Sequence, residues 1–135
     1  MSNMTDYLEG QLANHLFRTA SMVKPAVIAL ALFTTAPSDA GGGTEVAGSN
    51  YTRVALNPLD ANWSAPTAGN GITSNSVAAT FPVPSATWGT VTHFAIFDAL
   101  SAGNMLFWGV LAVAKTINNG DTVPFPANGI TVTFA

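Results

Sequence analysis

Two titratable side chains lie within the most apolar part of the sequence, and they are the first candidates for catalytic chemistry. His93 and Asp98 both fall in the stretch WGTVTHFAIFDALSAGNMLFWGVLAVA, which spans residues 88–114. Successive side chains of a β-strand point to opposite faces. His93 would therefore share a face with Val91, and Asp98 would share the opposite face with Thr92. The two polar groups point apart, so they cannot form a local acid–base pair.

The other residues that could do chemistry do not converge in the sequence. A Ser-His-Asp arrangement would need a serine and a carboxylate from elsewhere, and no nucleophile-elbow motif indicates which. His15 and His93 lack the spacing of metal ligands, and the seven carboxylates are scattered. The segment GGGTEV at 41–46 lacks the Gly-Lys-Ser/Thr of a phosphate loop. We therefore predict no catalytic residue, no cofactor and no metal, and we expect Asp98 to cap the turn in DALSAGN.

The charge content of the chain restricts its partners. Charged residues make up 8% of the sequence, against roughly 25% in ordinary soluble domains, and the net charge is -3. This balance offers no basic surface for nucleic acid. With 48% hydrophobic residues, the surface has little electrostatic protection against association, so we expect other proteins to cover much of it. The longest apolar run, residues 25–33, is shorter than the roughly 20 residues of a membrane helix, so we predict no membrane partner.

The beginning of the chain has the pattern of an amphipathic helix. Asn3 is a possible N-cap, and apolar side chains follow at four-residue spacing: Met4, Leu8, Leu12 and Leu16. Gly10 weakens such a helix by up to about 1 kcal/mol relative to alanine, so the element should depend on docking of its apolar stripe. We predict an N-terminal helix or arm over residues 1–22, followed by one compact domain over residues 23–135.

Short β-type runs separated by Gly, Pro, Asn and Asp follow Pro25. The pattern predicts a mainly β fold, a β-sandwich of about seven antiparallel strands with one N-terminal α-helix. The strands are expected near residues 26–34, 51–56, 77–81, 90–98, 105–114, 122–125 and 130–134. Asn119-Gly120 suits a tight hairpin turn because both residues tolerate positive φ. Pro124 cannot donate to a ladder, so its strand should lie at an edge.

The run from Met105 to Val113 has apolar residues at both odd and even positions, so a strand here would present apolar side chains on both of its faces. In a sandwich, one face of each sheet meets the other sheet. The second face must therefore be covered by the N-terminal helix, a long loop or another subunit. From this we predict a homo-oligomer, a homotrimer, formed partly through the second face of the 90–114 hairpin.

Two loops, at 36–50 and 57–76, exceed the usual connection length of about 4–6 residues. Trp63 should anchor the second loop, either to the chain's own core or to a partner. The glycines of the first loop would let its backbone lie close to another surface. The predicted interface residues come from the helix stripe, this glycine-rich loop, Trp63 and the hairpin: Leu8, Leu12, Leu16, Gly41, Gly42, Gly43, Trp63, Phe107 and Trp108.

Three stretches resemble, in order and spacing, a group of short proteins of tailed bacteriophages usually labelled tail fibre proteins. They are TDYLEGQLANHLF, VIALALFTTAPSDAGGGTEVAGSNYTRVAL and SVAATFPVPSATWGTVTHFAIFDALSAGNMLFWGVLAVAKTINNGDTVPF. The most distinctive parts are ALFTTAPSDAGGGTEV and WGTVTHFAIFDA, and the resemblance covers nearly the whole chain. It implies a virion component without enzymatic activity, assembled in the host cytoplasm, and it brings no catalytic residues.

Two placements in a virion follow from this resemblance. The first is a capsid decoration or cement protein that packs as an oligomer on the head and binds the major capsid protein. Low charge, the absence of a shaft repeat and the doubly apolar hairpin favour it. The alternative is a tail fibre or baseplate-associated protein that joins a fibre to the virion or contacts the host. A third possibility is a carbohydrate-binding or hydrolytic protein with Trp63 and Trp88 as sugar platforms, since the separation of paired carboxylates is not set by sequence.

Overall fold

The computed structural model describes residues 2–66 and 69–134, and within them the chain forms ten strands and one α-helix. The predicted β-sandwich with an N-terminal helix is confirmed, and each of the seven predicted strands overlaps an observed one. The elements are β1 (Ser2–Met4), α1 (Asp6–Phe17), β2 (Ala29–Thr35), β3 (Thr44–Glu45), β4 (Val54–Ala55), β5 (Ile72–Ser74), β6 (Ala79–Phe81), β7 (Gly89–Phe97), β8 (Met105–Ile117), β9 (Val123–Phe125) and β10 (Thr131–Thr133).

The strands form one large antiparallel sheet and two short ladders. The six-stranded sheet has the order β1-β8-β7-β2-β3, and β4 also pairs with β2. β5 pairs with β10, and β6 pairs with β9. The main core contains apolar side chains from the sheet and from both ladders, including Leu30, Ile96, Phe81 and Val132. The two ladders therefore supply the layer that packs against one face of the six-stranded sheet.

The opposite face, which we call the outer face, consists of Ala29, Ala31, Phe33, Ala95 and Phe97. All five side chains are buried. The rings of Phe33 and Phe97 are stacked with their centroids 6.4 Å apart. The three alanines, fully shielded from solvent, form with these rings and Met105 and Trp108 a second apolar cluster.

The glycine-rich loop after β2 lies against this outer face. A Cβ atom on Gly43, where φ is 75°, would stand 2.8 Å from the Pro37 backbone nitrogen and 3.0 Å from Cδ1 of Phe33. Asp39, in the same loop, accepts a hydrogen bond from Nε1 of Trp108 at 2.9 Å. The chain's own long loop, one of the three covers predicted for the second face, lies against it; the predicted contact with another subunit stays a prediction.

A bulge between β7 and β8 corrects the predicted orientation of His93. Val91 pairs with Lys115 and His93 with Val110, so Thr92 stands opposite four residues, 111–114. Val91 belongs to the main core, whereas the side chains of Thr92 and His93 contact each other through a 2.8 Å hydrogen bond. The prediction that His93 shares a face with Val91 was wrong because the bulge shifts the strand's alternation by one residue.

The N-terminus contributes a strand that the sequence pattern did not predict. Ser2–Met4 pair with β8, and Thr5 is the N-cap of α1 in place of the predicted Asn3. The Thr5 hydroxyl accepts from the Leu8 N–H at 3.4 Å and donates to the Met105 carbonyl at 2.6 Å. The start of the helix is thereby tied to the sheet. The division into an arm of residues 1–22 and a sandwich of residues 23–135 stays a prediction.

The turn at 118–121 is present, but it does not join a hairpin. The Asp121 N–H donates to the Asn118 carbonyl at 3.1 Å, and Gly120 has a φ of 81°. The strand before the turn belongs to the six-stranded sheet, and β9 after it pairs with β6. The Gly120 N–H donates to the Pro84 carbonyl at 2.9 Å, which directs the chain to the other layer. In the described part of the chain β9 has one neighbour, in agreement with the edge position predicted from Pro124.

Candidate interaction surfaces

Several of the predicted interface residues lie inside the protein. Leu8 and Phe107 are 3% and 5% exposed, and both belong to the main core. Trp63 packs against the same core, and its Nε1 donates to the Leu56 carbonyl at 2.9 Å. Their interface role stays a prediction, but their side chains are already engaged within the chain.

The leucine stripe of the helix becomes more exposed from its start to its end, since Leu8 is buried and Leu16 is exposed. Leu12 is partly buried against the core, whereas Leu16 is 68% and Phe17 84% exposed. The Met22 N–H donates to Nδ1 of His15 at 3.2 Å, which returns the following segment to the last helical turns. Leu16 and Phe17, together with the 84% exposed Val23 one residue after Met22, form what we call the helix-end surface. The sequence pointed to Leu16, but it gave no reason to include Phe17 or Val23.

The three predicted glycines border a cavity of about 610 Å³ between the glycine-rich loop, the start of α1 and the outer face. Its lining is mixed: it includes Asp6 and Asp39 as well as Phe33 and Phe97. The loop is internally bonded, since Ser38 and Gly41 exchange two backbone hydrogen bonds of 2.9 Å. A Cβ atom on Gly41 or Gly42 would meet open space, whereas one on Gly43 would clash with its surroundings. Gly41 and Gly42 thus lie on the accessible rim of the loop.

The two residues first considered for chemistry have structural partners. The Asp98 carboxylate accepts the Asn104 backbone N–H at 2.6 Å and the Asn104 amide at 2.9 Å. This confirms that Asp98 caps the turn between β7 and β8. His93 contacts Thr92 through Nδ1, and its ring lies 6.1 Å from that of Trp108. The arrangement places no nucleophile between the two residues.

One charged cluster was not singled out from the sequence. Nε and Nη2 of Arg53 donate to the two Glu45 carboxylate oxygens at 2.8 Å each, and Nη1 donates to the carbonyls of Ala99 and Ala102. The guanidinium also lies 3.6 Å from the centre of the Phe97 ring. These contacts join β3 and the 98–104 turn to the outer face. A planar guanidinium can make all of them at once, whereas a lysine ammonium cannot.

Tyr51 continues this cluster into the core. Its hydroxyl donates to the Glu45 carboxylate at 3.0 Å and accepts the Leu32 backbone N–H at 3.0 Å. Burial raises the pKa of Tyr51 far above its ordinary value of 10.0, and the nearby Glu45 charge raises it further. The phenol therefore stays protonated and acts as a fixed bridge between β2 and β3.

The outer edge of β8 is the second large exposed apolar surface. β1 pairs with Gly109, Trp108 and Phe107, and no other described strand continues along that edge from Val110 to Ile117. We call this segment, residues 110–117, the open edge. Val110 is 57% and Val113 79% exposed. An apolar cavity of about 410 Å³ lies beside it, lined in part by Phe94, Leu111 and Phe125.

The described residues show no metal site, and the two tryptophans predicted as sugar platforms differ in burial. Residues 2–66 and 69–134 contain no group of three or more histidine and carboxylate side chains that could hold a metal ion. No helix in this part of the chain is long and apolar enough to cross a membrane. Trp88 is 6% exposed, and its Nε1 donates to the Ser49 carbonyl at 3.0 Å. Trp63 is half-buried against the core and lines an apolar cavity of about 250 Å³ with Phe107 and Phe134; its role as a sugar platform stays a prediction.

Comparison with known protein families gives one match. Residues 3–133 match the family described as Podophage GP4 fiber I protein gp80. The chain belongs to this family. The match confirms the resemblance to tail fibre proteins of short-tailed bacteriophages, and it covers the helix, the glycine-rich loop and all three sheets. No curated protein matches the chain significantly.

Proposed function

We propose that this protein is a non-enzymatic structural subunit of a short-tailed bacteriophage virion, associated with the tail fibres. The family match across residues 3–133 carries the proposal. The sequence alone favoured a decoration or cement protein on the head. A fibre family supports the alternative, in which the subunit joins a fibre to the tail or contacts the host. Partners would then be other copies of the chain and tail proteins, and assembly would take place in the host cytoplasm.

The helix-end surface is our candidate for attachment to another virion protein. Thr5 and Leu8 fix the first half of α1 to the sheet, so the exposed second half is held in a defined position. Leu16, Phe17 and Val23 then present large apolar side chains to solvent. Exposed apolar residues of this size are common in contact sites for other proteins.

A structural role is supported by what the polar side chains do. Asp98 caps a turn, Arg53 and Glu45 bind each other, and Tyr51 bridges two strands. Each of these groups is hydrogen-bonded to a neighbouring backbone or side-chain group, so its role is to stabilise the fold.

Cryo-electron microscopy of intact particles tests the placement. A phage that carries this chain should show its density at the tail, in a small number of copies around the tail axis. Particles made without the gene for this chain should lack that density, which would identify it as this protein. Icosahedrally repeated density over the head would instead establish the cement function and overturn the tail proposal.

A further inference from the structure

The structure points to a different surface for self-association from the one that the sequence predicts. A trimer through the second face of the 90–114 hairpin requires that face to be free. Phe33 and Phe97 on this face are buried, and the glycine-rich loop and Arg53 lie over them. A second copy that approaches this face would therefore meet the loop and Arg53 before the two rings. The apolar surface that remains on this sheet is the open edge of β8.

The open edge lacks a strand neighbour along most of its length. In the described residues it has no partner on its outer side, and the bulge opposite Thr92 also leaves residues 111–114 without register partners in β7. Backbone N–H and C=O groups in such a segment are available to another extended chain. The exposed side chains of Val110 and Val113 would be removed from water by the same contact.

The open edge also lacks the usual protection of an edge strand. Natural edges carry proline or charged residues that discourage pairing. Pro124 performs that task in β9, whereas β8 has no proline, and its only charged residue is Lys115. The ten residues from Met105 to Ala114 are uncharged, so two copies of this segment would meet without electrostatic repulsion.

We propose that the open edge pairs with the open edge of a second copy of this chain, antiparallel and centred on Val113. In this register Val113 faces its own copy, Ala112 faces Ala114, and Lys115 faces Leu111. The two lysines are therefore kept apart, and the methylene stem of each can lie along an apolar neighbour. A two-fold contact of this kind gives a dimer. This inference does not depend on where the protein sits in the virion.

Disulfide trapping tests the pairing in the purified full-length chain. The sequence contains no cysteine, so Val113→Cys introduces a single thiol. Directly opposed residues of antiparallel strands have Cβ atoms about 4.5–5.5 Å apart, close to disulfide geometry. Val83→Cys, at a site 55% exposed outside residues 110–117, is the matched control. We expect Val113→Cys to form the cross-linked dimer at least about tenfold faster than the control.

A charge at the same position provides the second measurement. In Val113→Lys two like charges would oppose each other at the centre of the contact, so association should weaken at least about tenfold. Sedimentation velocity measures this, and the exposed position leaves folding intact, which thermal unfolding verifies. Equal cross-linking rates, a monomeric unmodified chain at tens of micromolar, or a trimer unaffected by Val113→Lys would each overturn the proposal. None of these results would bear on placement at the tail.

Discussion

The outer face of the six-stranded sheet and the open edge of β8 are both apolar, but the chain covers only the first. On the outer face, Phe33 is 3% exposed beneath the glycine-rich loop; on the open edge, Val113 is 79% exposed. The difference follows from geometry. A face can be covered by a loop that adds side-chain and backbone contacts, whereas an edge needs an extended strand in register. Apolar residues alone do not identify an interface, and the position of a residue within the sheet decides which surface needs a partner.

The largest effect should come from removing a ring on the covered face. Phe33→Ala deletes one member of the Phe33–Phe97 stack in a buried site, so we expect a loss of about 3–5 kcal/mol in the free energy of unfolding. Val113→Ala should stay within about 0.5 kcal/mol of the unmodified chain, because its side chain is exposed. Urea denaturation of monomeric samples measures both. Similar losses for the two variants would show that the face and the edge are not covered differently.

The close approach of the loop to the outer face can be tested with two glycines. Gly42 and Gly43 have φ values of 81° and 75°, so Ala substitution strains the backbone similarly at both. Only Gly43→Ala also places a Cβ atom against Pro37 and Phe33. We expect Gly43→Ala to lower the free energy of unfolding by about 1–3 kcal/mol more than Gly42→Ala. If both substitutions lower the free energy of unfolding by the same amount, the loop does not depend on close packing at residue 43.

The buried Tyr51 phenol predicts a dependence of stability on alkaline pH. Because its pKa in the folded chain lies above the ordinary value of 10.0, the unfolded chain loses the proton first as pH rises. The stabilisation is complete below pH 10 and is lost as the pH rises further towards the folded-state pKa. Tyr51→Phe should be less stable near neutral pH by about 1–2 kcal/mol, since the Leu32 N–H loses its acceptor.

Above pH 10, the stability of the Tyr51→Phe variant should fall less steeply than that of the unmodified chain. The control is Tyr7→Phe, at a position 40% exposed, which should keep the steeper decline. Denaturant midpoints measured from pH 8 to pH 11 compare the three proteins. Parallel curves for the unmodified chain and Tyr51→Phe would refute the role assigned to burial.

The smallest effect on stability should come from the helix-end surface. Phe17→Ser changes a side chain that is 84% exposed, so the free energy of unfolding should change by less than about 0.5 kcal/mol. Binding to phage particles that lack the protein should nevertheless be lost, as measured by co-sedimentation. Val83→Ser, at another exposed valine, should bind normally. If Phe17→Ser binds as well as the control, attachment does not use the end of the helix.

Most of the fold could be predicted from patterns within each segment. Ile130, Val132 and Phe134 alternate with threonines in the sequence, which predicts a half-buried strand; Ile130 and Val132 are buried, whereas Phe134 is 44% exposed. Turn chemistry was also predictable at Asp98 and at Gly120. The short strands β1, β3 and β5 were not, because they lie in segments that the sequence pattern assigns to the helix and to the two long loops. They form because β8, β2 and β10 offer ladder positions in the folded protein.

The departures from the predicted positions have a common physical cause. His93 was assigned to the face of Val91 because a regular alternation was assumed, and the bulge at Thr92 breaks it. Phe107 was expected at an interface because β8 is apolar on both faces; its side chain lies in the main core, and its interface role stays a prediction. Bulges and coverings depend on contacts between distant segments. Residue types could therefore suggest which positions need cover, but not which segment provides it.

Hydrogen exchange measured as a function of protein concentration compares the two regions most directly. At low concentration the amides of residues 110–114 should exchange quickly, while those of Ala29–Phe33 should be protected because they lie in a central strand. As the chain associates, we expect protection to rise at residues 110–114 and to stay constant in the glycine-rich loop. Protection that rises in the loop while the open edge continues to exchange quickly would show that association uses the outer face, and it would contradict this account.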